Sequence, residues 1–304
     1  MSSFGERIKE QVRRRLTSNP FLRRWPPGHF YSPVPELSTV LADHSRIFQR
    51  DVVKIAGIDS NDDRQLDLLM AFAKFHDDMP FTDVPEGGRR YGFDNSFFSY
   101  GDATILHCML RQFRPNRVVE VGSGHSSAVM LDTNEIALEG AVALTFIEPY
   151  PDRLTQLLRD QDRERVTLRQ EFVQHVPLDV FKQLEANDIL FIDSSHVAKI
   201  GSDVVWLLTH VLPQLAPGVI VHIHDIFWPF EYPEAWLREG RAWNEAYFVK
   251  AFLQFNSAFQ MLFFNSYVAQ HHREDAEKHV PTFLRNPGGS LWLQRINDPS
   301  EATR

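Results

Sequence analysis

The chain has 304 residues, 43% hydrophobic and 24% charged, with a formal net charge of −8. That length supplies one large domain, or a core domain with a smaller appendage, and the composition excludes collagen-like, coiled-coil and largely disordered chains. The acidic balance excludes a surface that serves as a nucleic-acid platform throughout, and the single cysteine, Cys108, excludes an intramolecular disulfide and any multi-cysteine metal site.

No run of about 18 apolar residues is present, so no transmembrane helix is expected. The N-terminus lacks the apolar centre of a secretory signal, and a cytoplasmic protein is expected. The first residues are basic and amphipathic instead: Arg7, Lys9, Arg13, Arg14, Arg15, Arg23 and Arg24 against Glu6 and Glu10. They read as a solvated helix or arm, with an anionic membrane or partner as the sharper alternative. Pro20, Pro26, Pro27, Pro33 and Pro35 then break residues 20–36 into loop and short turns.

Residues 61–76 predict an amphipathic helix carrying Leu66, Leu69, Met70 and Phe72 or Ala73 on one face. Residues 102–113 predict a second, with Asp102 as its cap and an end before Pro115. From Arg117 onward, apolar runs at Val118–Val121, Val142–Ile147, Val166–Leu168, Ile189–Ile192 and Gly218–Ile223 alternate with helical stretches near 125–138, 151–161, 178–185 and 201–215. Continuous apolar strands separated by helices predict an α/β, doubly wound parallel sheet covered on both faces. A long helix over about 234–256 follows, weakened at Gly240. Two further strands are expected at Phe259–Val268 and Ser290–Ile296. Residues 1–99 read as an N-terminal helical and loop cap, and residues 100–304 as the sheet-bearing domain.

The sharpest local feature is Val118-Val119-Glu120-Val121-Gly122-Ser123-Gly124-His125-Ser126-Ser127, a strand entering a helix through a glycine turn. Such a turn lets backbone approach a nucleotide ligand closely. Glu148 ends the next strand, where a carboxylate accepts ribose hydroxyls. A dinucleotide loop calls for a third glycine and a helix N-terminus facing pyrophosphate. Here Ser127 takes that third position and Glu120 would repel a diphosphate. A positively charged cofactor, bearing an ammonium and a sulfonium, fits better.

On these residues and Asp193, the chain resembles the class I S-adenosylmethionine-dependent methyltransferases over residues 100–300. More narrowly it is similar to a bacterial subgroup carrying Gly28-His29-Phe30-Tyr31-Ser32-Pro33, Phe191-Ile192-Asp193-Ser194-Ser195-His196 and His224-Asp225-Ile226-Phe227-Trp228-Pro229. The resemblance implies a Rossmann-like, mostly parallel seven-stranded sheet with an antiparallel terminal strand, and S-adenosyl-L-methionine as cofactor. It implies Glu120, Gly122 and Gly124 on the methionine side, Glu148 at the ribose, and Phe172-Val173-Gln174 near adenine. Ser123, Ser127, Pro149, Asp193, Ser194 and Tyr100 complete that cofactor set.

Asp193-Ser194-Ser195-His196 and His222-Ile223-His224-Asp225 follow the fourth and fifth strands, where open α/β sheets bind ligands. Three roles are open. His196 or His224 is a general base; or Asp193, His224 and Asp225 hold a divalent cation; or these residues only order loops, with Asp193 capping the next helix. Metal-dependent relatives show Asp-Asn or Asp-Asp after the fifth strand, so His224-Asp225 argues against magnesium and leaves room for a softer metal. His107 and His210 read as packing residues. Aromatic groups at His29–Tyr31, Phe97, Phe98, Tyr100, Phe227, Trp228, Phe230 and Tyr232 suit a sulfonium, which an aromatic face attracts by about 0.5–2 kcal/mol. Gly28–Pro33 is expected to close over the site as a lid, and its His29 and Tyr31 join His196 and His224 as candidate catalytic residues.

The expected activity is methyl transfer to a small molecule, to oxygen before nitrogen. Two alternatives stand beside it: intramolecular cyclisation of the cofactor to azetidine-2-carboxylate with release of 5′-methylthioadenosine, and a non-catalytic cofactor-binding protein. A small-molecule substrate and no nucleic-acid partner are expected; the oligomeric state is not legible.

Overall fold

The computed structural model describes residues 18–296, so the basic run from Arg7 to Arg15 lies outside the described residues. Contacts divide the chain into two compact units. One holds the described residues up to Asp51 with Tyr232–Ala242; the other holds Val52–Glu231 and the residues from Trp243 on. The division falls at Asp51 rather than at residue 99, because residues 52–99 carry core side chains of the sheet-bearing unit. The helix α1 (Asp62–His76) buries Leu68, Leu69 and Phe72 there, and Gln65 accepts the backbone N–H of Phe264 at 2.8 Å.

Among the described residues the smaller unit contains four short helices, Pro20–Arg24, Leu37–Ala42, His44–Ile47 and Glu234–Arg238, none with a buried residue. That agrees with the proline-broken texture of its sequence. In the larger unit, α2 (Tyr100–Phe113) precedes β1 (Arg117–Val121), α3 (His125–Ala137) and β2 (Ala143–Ile147). The sheet continues through β3 (Val166–Arg169), β4 (Ile189–Ile192), β5 (Ile220–Ile223), β6 (Phe259–Phe264) and β7 (Leu291–Arg295), in the spatial order β3-β2-β1-β4-β5-β7-β6. The first five strands are parallel, and β7 inserts antiparallel between β5 and β6. No helix among the described residues is long and apolar enough to cross a membrane.

Register does the positioning. Val121 pairs with Ile147 and Ile192, and Ile192 with Ile223. The next residues, Gly122, Glu148, Asp193 and His224, therefore leave the sheet at one level along its carboxyl edge. Chain order reverses between β2-β1 and β1-β4, where such sheets open a crevice.

Several elements differ from expectation. The helix expected over 234–256 is two, Glu234–Arg238 and α4 (Glu245–Gln254), separated around Gly240, whose φ of 90° no helix accommodates. The strand expected to reach Val268 stops at Phe264 and turns into α5 (Asn265–His271). The helical stretches after β2 and β3 shorten to Asp152–Leu157 and Asp179–Lys182, whereas the one after β4 runs as expected from Asp203 to Gln214, widening to a π-helix over Leu207–Val211. Asp102 does not cap α2: Ser99 holds the cap position, and the Asp102 carboxylate lies buried, accepting from Ser290 Oγ at 2.6 Å and Asn265 Nδ2 at 3.3 Å.

One buried ion network ties the segment before α2 to α3. The Arg90 guanidinium, 2% exposed, donates to Asp132, Asp162 and Glu135 at 2.5–3.0 Å. Arg90→Met leaves Asp132 and Asp162 buried without their cation, and breaking such a set costs about 3–5 kcal/mol. Denaturant unfolding of wild type and variant measures this, and a change below about 1 kcal/mol contradicts it.

Candidate active site

The β1–α3 turn packs directly on the end of β4. Gly122 has φ 81°, and a Cβ there would lie 1.8 Å from the carbonyl oxygen of Asp193; only glycine permits this approach. Behind the turn, Glu120 is fully buried and accepts from the hydroxyls of Ser126, at 2.6 Å, and Ser127. Ser127 Oγ in turn accepts the Gly124 N–H at 3.0 Å. Burial pushes the Glu120 carboxyl up to about 8 despite its serine donors. Glu148 accepts the Ser123 N–H at 3.1 Å through one oxygen and the Tyr150 N–H at 2.8 Å through the other.

A cleft of about 410 Å³ opens here, lined by Gly122, Glu148, Pro149, Phe172, Val173, Gln174, Asp193 and Ser194 from the expected cofactor set. Tyr150, Lys199 and Asp203 also line it; no local motif marked them. Glu120 and Ser127 support the turn from inside and do not line the cleft. Tyr100 is placed elsewhere: its hydroxyl donates to Asp83 at 2.9 Å, accepts from Arg285 at 2.6 Å, and its ring stacks on Phe93. Two hollows of about 510 Å³ lie apart from the strand ends, one beside Phe255 at the β6 edge and one over the satisfied Arg90 network.

Next to the cleft, four side chains converge. His196 Nε2 lies 3.3 Å from Asp193 Oδ1 and 3.4 Å from Asp225 Oδ2. His224 Nδ1 lies 3.5 Å from Asp193 Oδ1 and 3.6 Å from Asp225 Oδ1. Asp193 caps no helix, since Ser202 caps the next one; its carboxylate faces the imidazoles instead. His196 and Asp225 both hold left-handed backbone, φ 59° and 56°, a strained conformation that clusters at functional sites. The His196 carbonyl accepts the N–H groups of Asn244 and Glu245, fixing the loop on the start of α4.

Electrostatics follow from this packing. Burial acts to raise the Asp193 carboxyl, but the charge of His224 and contacts with both imidazoles hold it well below the usual carboxylate range. Burial opposes charge on His196, yet contacts with Asp193 and Glu245 push it up to about 10. His224 is likewise held well above its ordinary value, against burial, by the charges of Asp225 and Asp193. His222 shares the strand face but stands apart: it stacks on Phe191 at 3.8 Å, bonds Ser290 Oγ at 2.9 Å, and burial keeps it neutral.

Asp193, His196 and Asp225 each offer a ligand atom, all within 4.8 Å of one another. The geometry thus puts His196 in the place that the expected metal set of Asp193, His224 and Asp225 gave to His224. Such a centre can hold a proton or a divalent cation beside a substrate hydroxyl. His29 and Tyr31 belong to the smaller unit, where their rings lie 4.4 and 4.9 Å from that of Trp25. Trp228 and Phe230 are core residues packed on Phe264. His107, as expected, is a packing residue bonded to Thr133 at 2.9 Å. Sequence reasoning missed Glu245 altogether and read Asp102 only as a cap.

Residues 119–226 match the protein family described as a methyltransferase domain. The chain is also 35% identical over 170 residues to an uncharacterized protein of Archaeoglobus fulgidus, covering 54% of this chain and 76% of that one. The matched segment holds the glycine turn, Glu148, Asp193, His196, His224 and Asp225, and it is a methyltransferase domain. Among solved structures the chain is similar to the Podospora anserina methyltransferase PaMTH1 bound to S-adenosylhomocysteine, at 14% identity, TM-score 0.42, over 87% of this chain and 98% of that one. It is similar as well to the O-methyltransferase TomG of Streptomyces achromogenes, at 14% identity, TM-score 0.39, over 85% and 96%.

A carboxyl whose folded pKa exceeds its unfolded value binds more protons when folded, so stability falls as pH rises through that window. For Glu120 the window runs from the ordinary value of 4.5 to about 8. Glu120→Gln should therefore flatten the decline of Tm of the ligand-free methyltransferase between these values. Melting curves across the range check this, and equal slopes for both proteins contradict it.

Proposed function

We propose that this methyltransferase transfers a methyl group from S-adenosylmethionine to a hydroxyl oxygen of a small molecule. The carrying observation is that Asp193 belongs both to the cleft and to the strand-end cluster. A donor seated in the cleft therefore sits beside the groups that take up a proton. The residues fit this donor. Each Glu148 oxygen uses one lone pair on a backbone N–H, leaving the others for the two ribose hydroxyls. Phe172 and Tyr150 line the cleft edge to face, with ring centroids 5.9 Å apart, and offer faces for adenine.

When bound, S-adenosylmethionine supplies an electrophilic methyl group on a sulfonium. The chain's own work is to hold donor and acceptor in line, the main lever in such transfers, and to remove the hydroxyl proton. As the new C–O bond forms, the C–S pair stays on sulfur, and the hydroxyl proton passes to the Asp225 carboxylate, whose proton affinity burial raises, since both imidazoles are held in their protonated form. A divalent cation held by Asp193, His196 and Asp225 would lower the pKa of that hydroxyl. Oxygen is favoured over nitrogen because a neutral amine needs no deprotonation before it attacks.

Incubation with S-adenosylmethionine and hydroxylated small molecules, read by mass spectrometry, tests this. S-adenosylhomocysteine and a methylated product are expected. Formation of 5′-methylthioadenosine without a methylated product would replace the reading with cyclisation, and neither product would leave a binding protein. Glu148→Ala removes hydrogen bonds to a charged group, worth about 1.5–3 kcal/mol each. S-adenosylhomocysteine should then bind at least roughly tenfold more weakly by calorimetry; unchanged affinity contradicts the ribose assignment.

A further inference from the structure

We infer that the smaller unit carries a docking surface for an anionic lipid bilayer, in which the exposed rings of Phe21, Phe30 and Tyr31 enter the headgroup region while Arg23 and Arg24 engage its phosphates. Binding of this kind needs no methyl donor, so its test stands apart from the proposed function.

No residue from Ser18 to Asp51 is buried, although that stretch holds Phe21, Trp25, Phe30, Tyr31, Val34 and Leu37. Phe21, Phe30 and Tyr31 are 75%, 90% and 65% exposed. Large apolar side chains gathered at the surface of one segment mark an interaction site rather than a core. The rings and a cation form one continuous patch. The Arg24 guanidinium lies over the Trp25 ring at 5.3 Å, Trp25 meets His29 and Tyr31 at 4.4 and 4.9 Å, and Tyr31 meets Phe30 edge-on at 5.1 Å. Backbone bonds shape the loop that presents them: the Gly28 N–H donates to the Val34 carbonyl at 3.0 Å, and the Ser32 N–H to that of His29 at 2.7 Å.

Charge decides the partner. Arg46, Arg238 and Arg241 of this unit each pair with a nearby carboxylate. Arg23 and Arg24 are exposed in the last turn of Pro20–Arg24, and among the described residues no carboxylate lies within ion-pair distance of either. The sequence up to Arg24 holds seven Lys or Arg against Glu6 and Glu10, in a chain whose net charge is −8. The positive charge of an acidic protein is thus concentrated beside its exposed rings. Reversible membrane binding takes two such signals, apolar groups that enter the interface and a basic cluster attracted to anionic lipid. Arginine adds a planar fork that matches phosphate oxygens. A second copy of this chain fits the patch less well, because a symmetric contact would set the same guanidinium groups against each other.

The full chain is sedimented with vesicles of phosphatidylcholine alone and of phosphatidylcholine carrying about 30% phosphatidylserine. Pelleting with the anionic vesicles is expected at about 0.1 M salt, with release at about 1 M, where the screening length falls from about 10 to 3 Å. Arg23→Gln combined with Arg24→Gln should weaken this binding about thirtyfold, the share of two basic side chains near an anionic surface. Phe21→Ser combined with Phe30→Ser should weaken it at least roughly tenfold, and both positions are exposed, so the fold does not depend on them. No pelleting of the wild type with anionic vesicles, equal pelleting with phosphatidylcholine alone, or wild-type binding by either double variant overturns the inference. So does a dimer seen by light scattering that the double phenylalanine variant abolishes, since the patch is then a contact between copies.

Discussion

The contact of Gly122 with the Asp193 carbonyl joins the two halves of the site. It brings the β1 turn onto the end of β4, so that one wall of the cleft and one edge of the acid–imidazole centre are the same residue. Any side chain at position 122 would have to push these apart by more than an ångström. Strand register then does the rest, setting Glu148 on one side of Asp193 and His224 on the other. In the methyl transfer proposed above, donor and acceptor oxygen need to meet within van der Waals distance, and this backbone geometry sets the cleft beside the acid–imidazole centre where they would do so.

Charge is distributed unevenly around that joint. Glu120 sits behind the turn, desolvated and raised toward neutrality, while Asp193 and Asp225 face two imidazoles. Two further carboxylates, Asp102 and Glu245, stand behind those rings. The loops carrying His196 and Asp225 take left-handed backbone, and the start of α4 clamps the first of them through its N–H groups. The centre is therefore built from four separate segments, each held by bonds that do not depend on a ligand.

Much of this was legible in the sequence because strands buried on both faces read as unbroken apolar runs, and the residue after each run falls at the ligand-binding edge. That logic reached Gly122, Glu148, Asp193 and His224. It failed where apolarity alone had to separate strand from helix: the run after Phe259 passes through Asn265 into α5 without a break in hydrophobicity. It failed also where a side chain's partner is remote. Asp102 looks like a helix cap locally, but its acceptors serve Asn265 and Ser290, 163 and 188 residues away. Glu245 seemed to sit inside a continuous helix, and only the interruption at Gly240 lets it begin a new one beside His196. Tyr100 looked like a cofactor ring and is instead engaged by Asp83 and Arg285.

A crystal structure with S-adenosylhomocysteine measures the central arrangement most directly. The account predicts both ribose hydroxyls on the Glu148 carboxylate and the thioether sulfur on the Asp193 side of the cleft, facing His196 and His224. A nucleoside bound away from Glu148, or with its sulfur turned from Asp193, would contradict it.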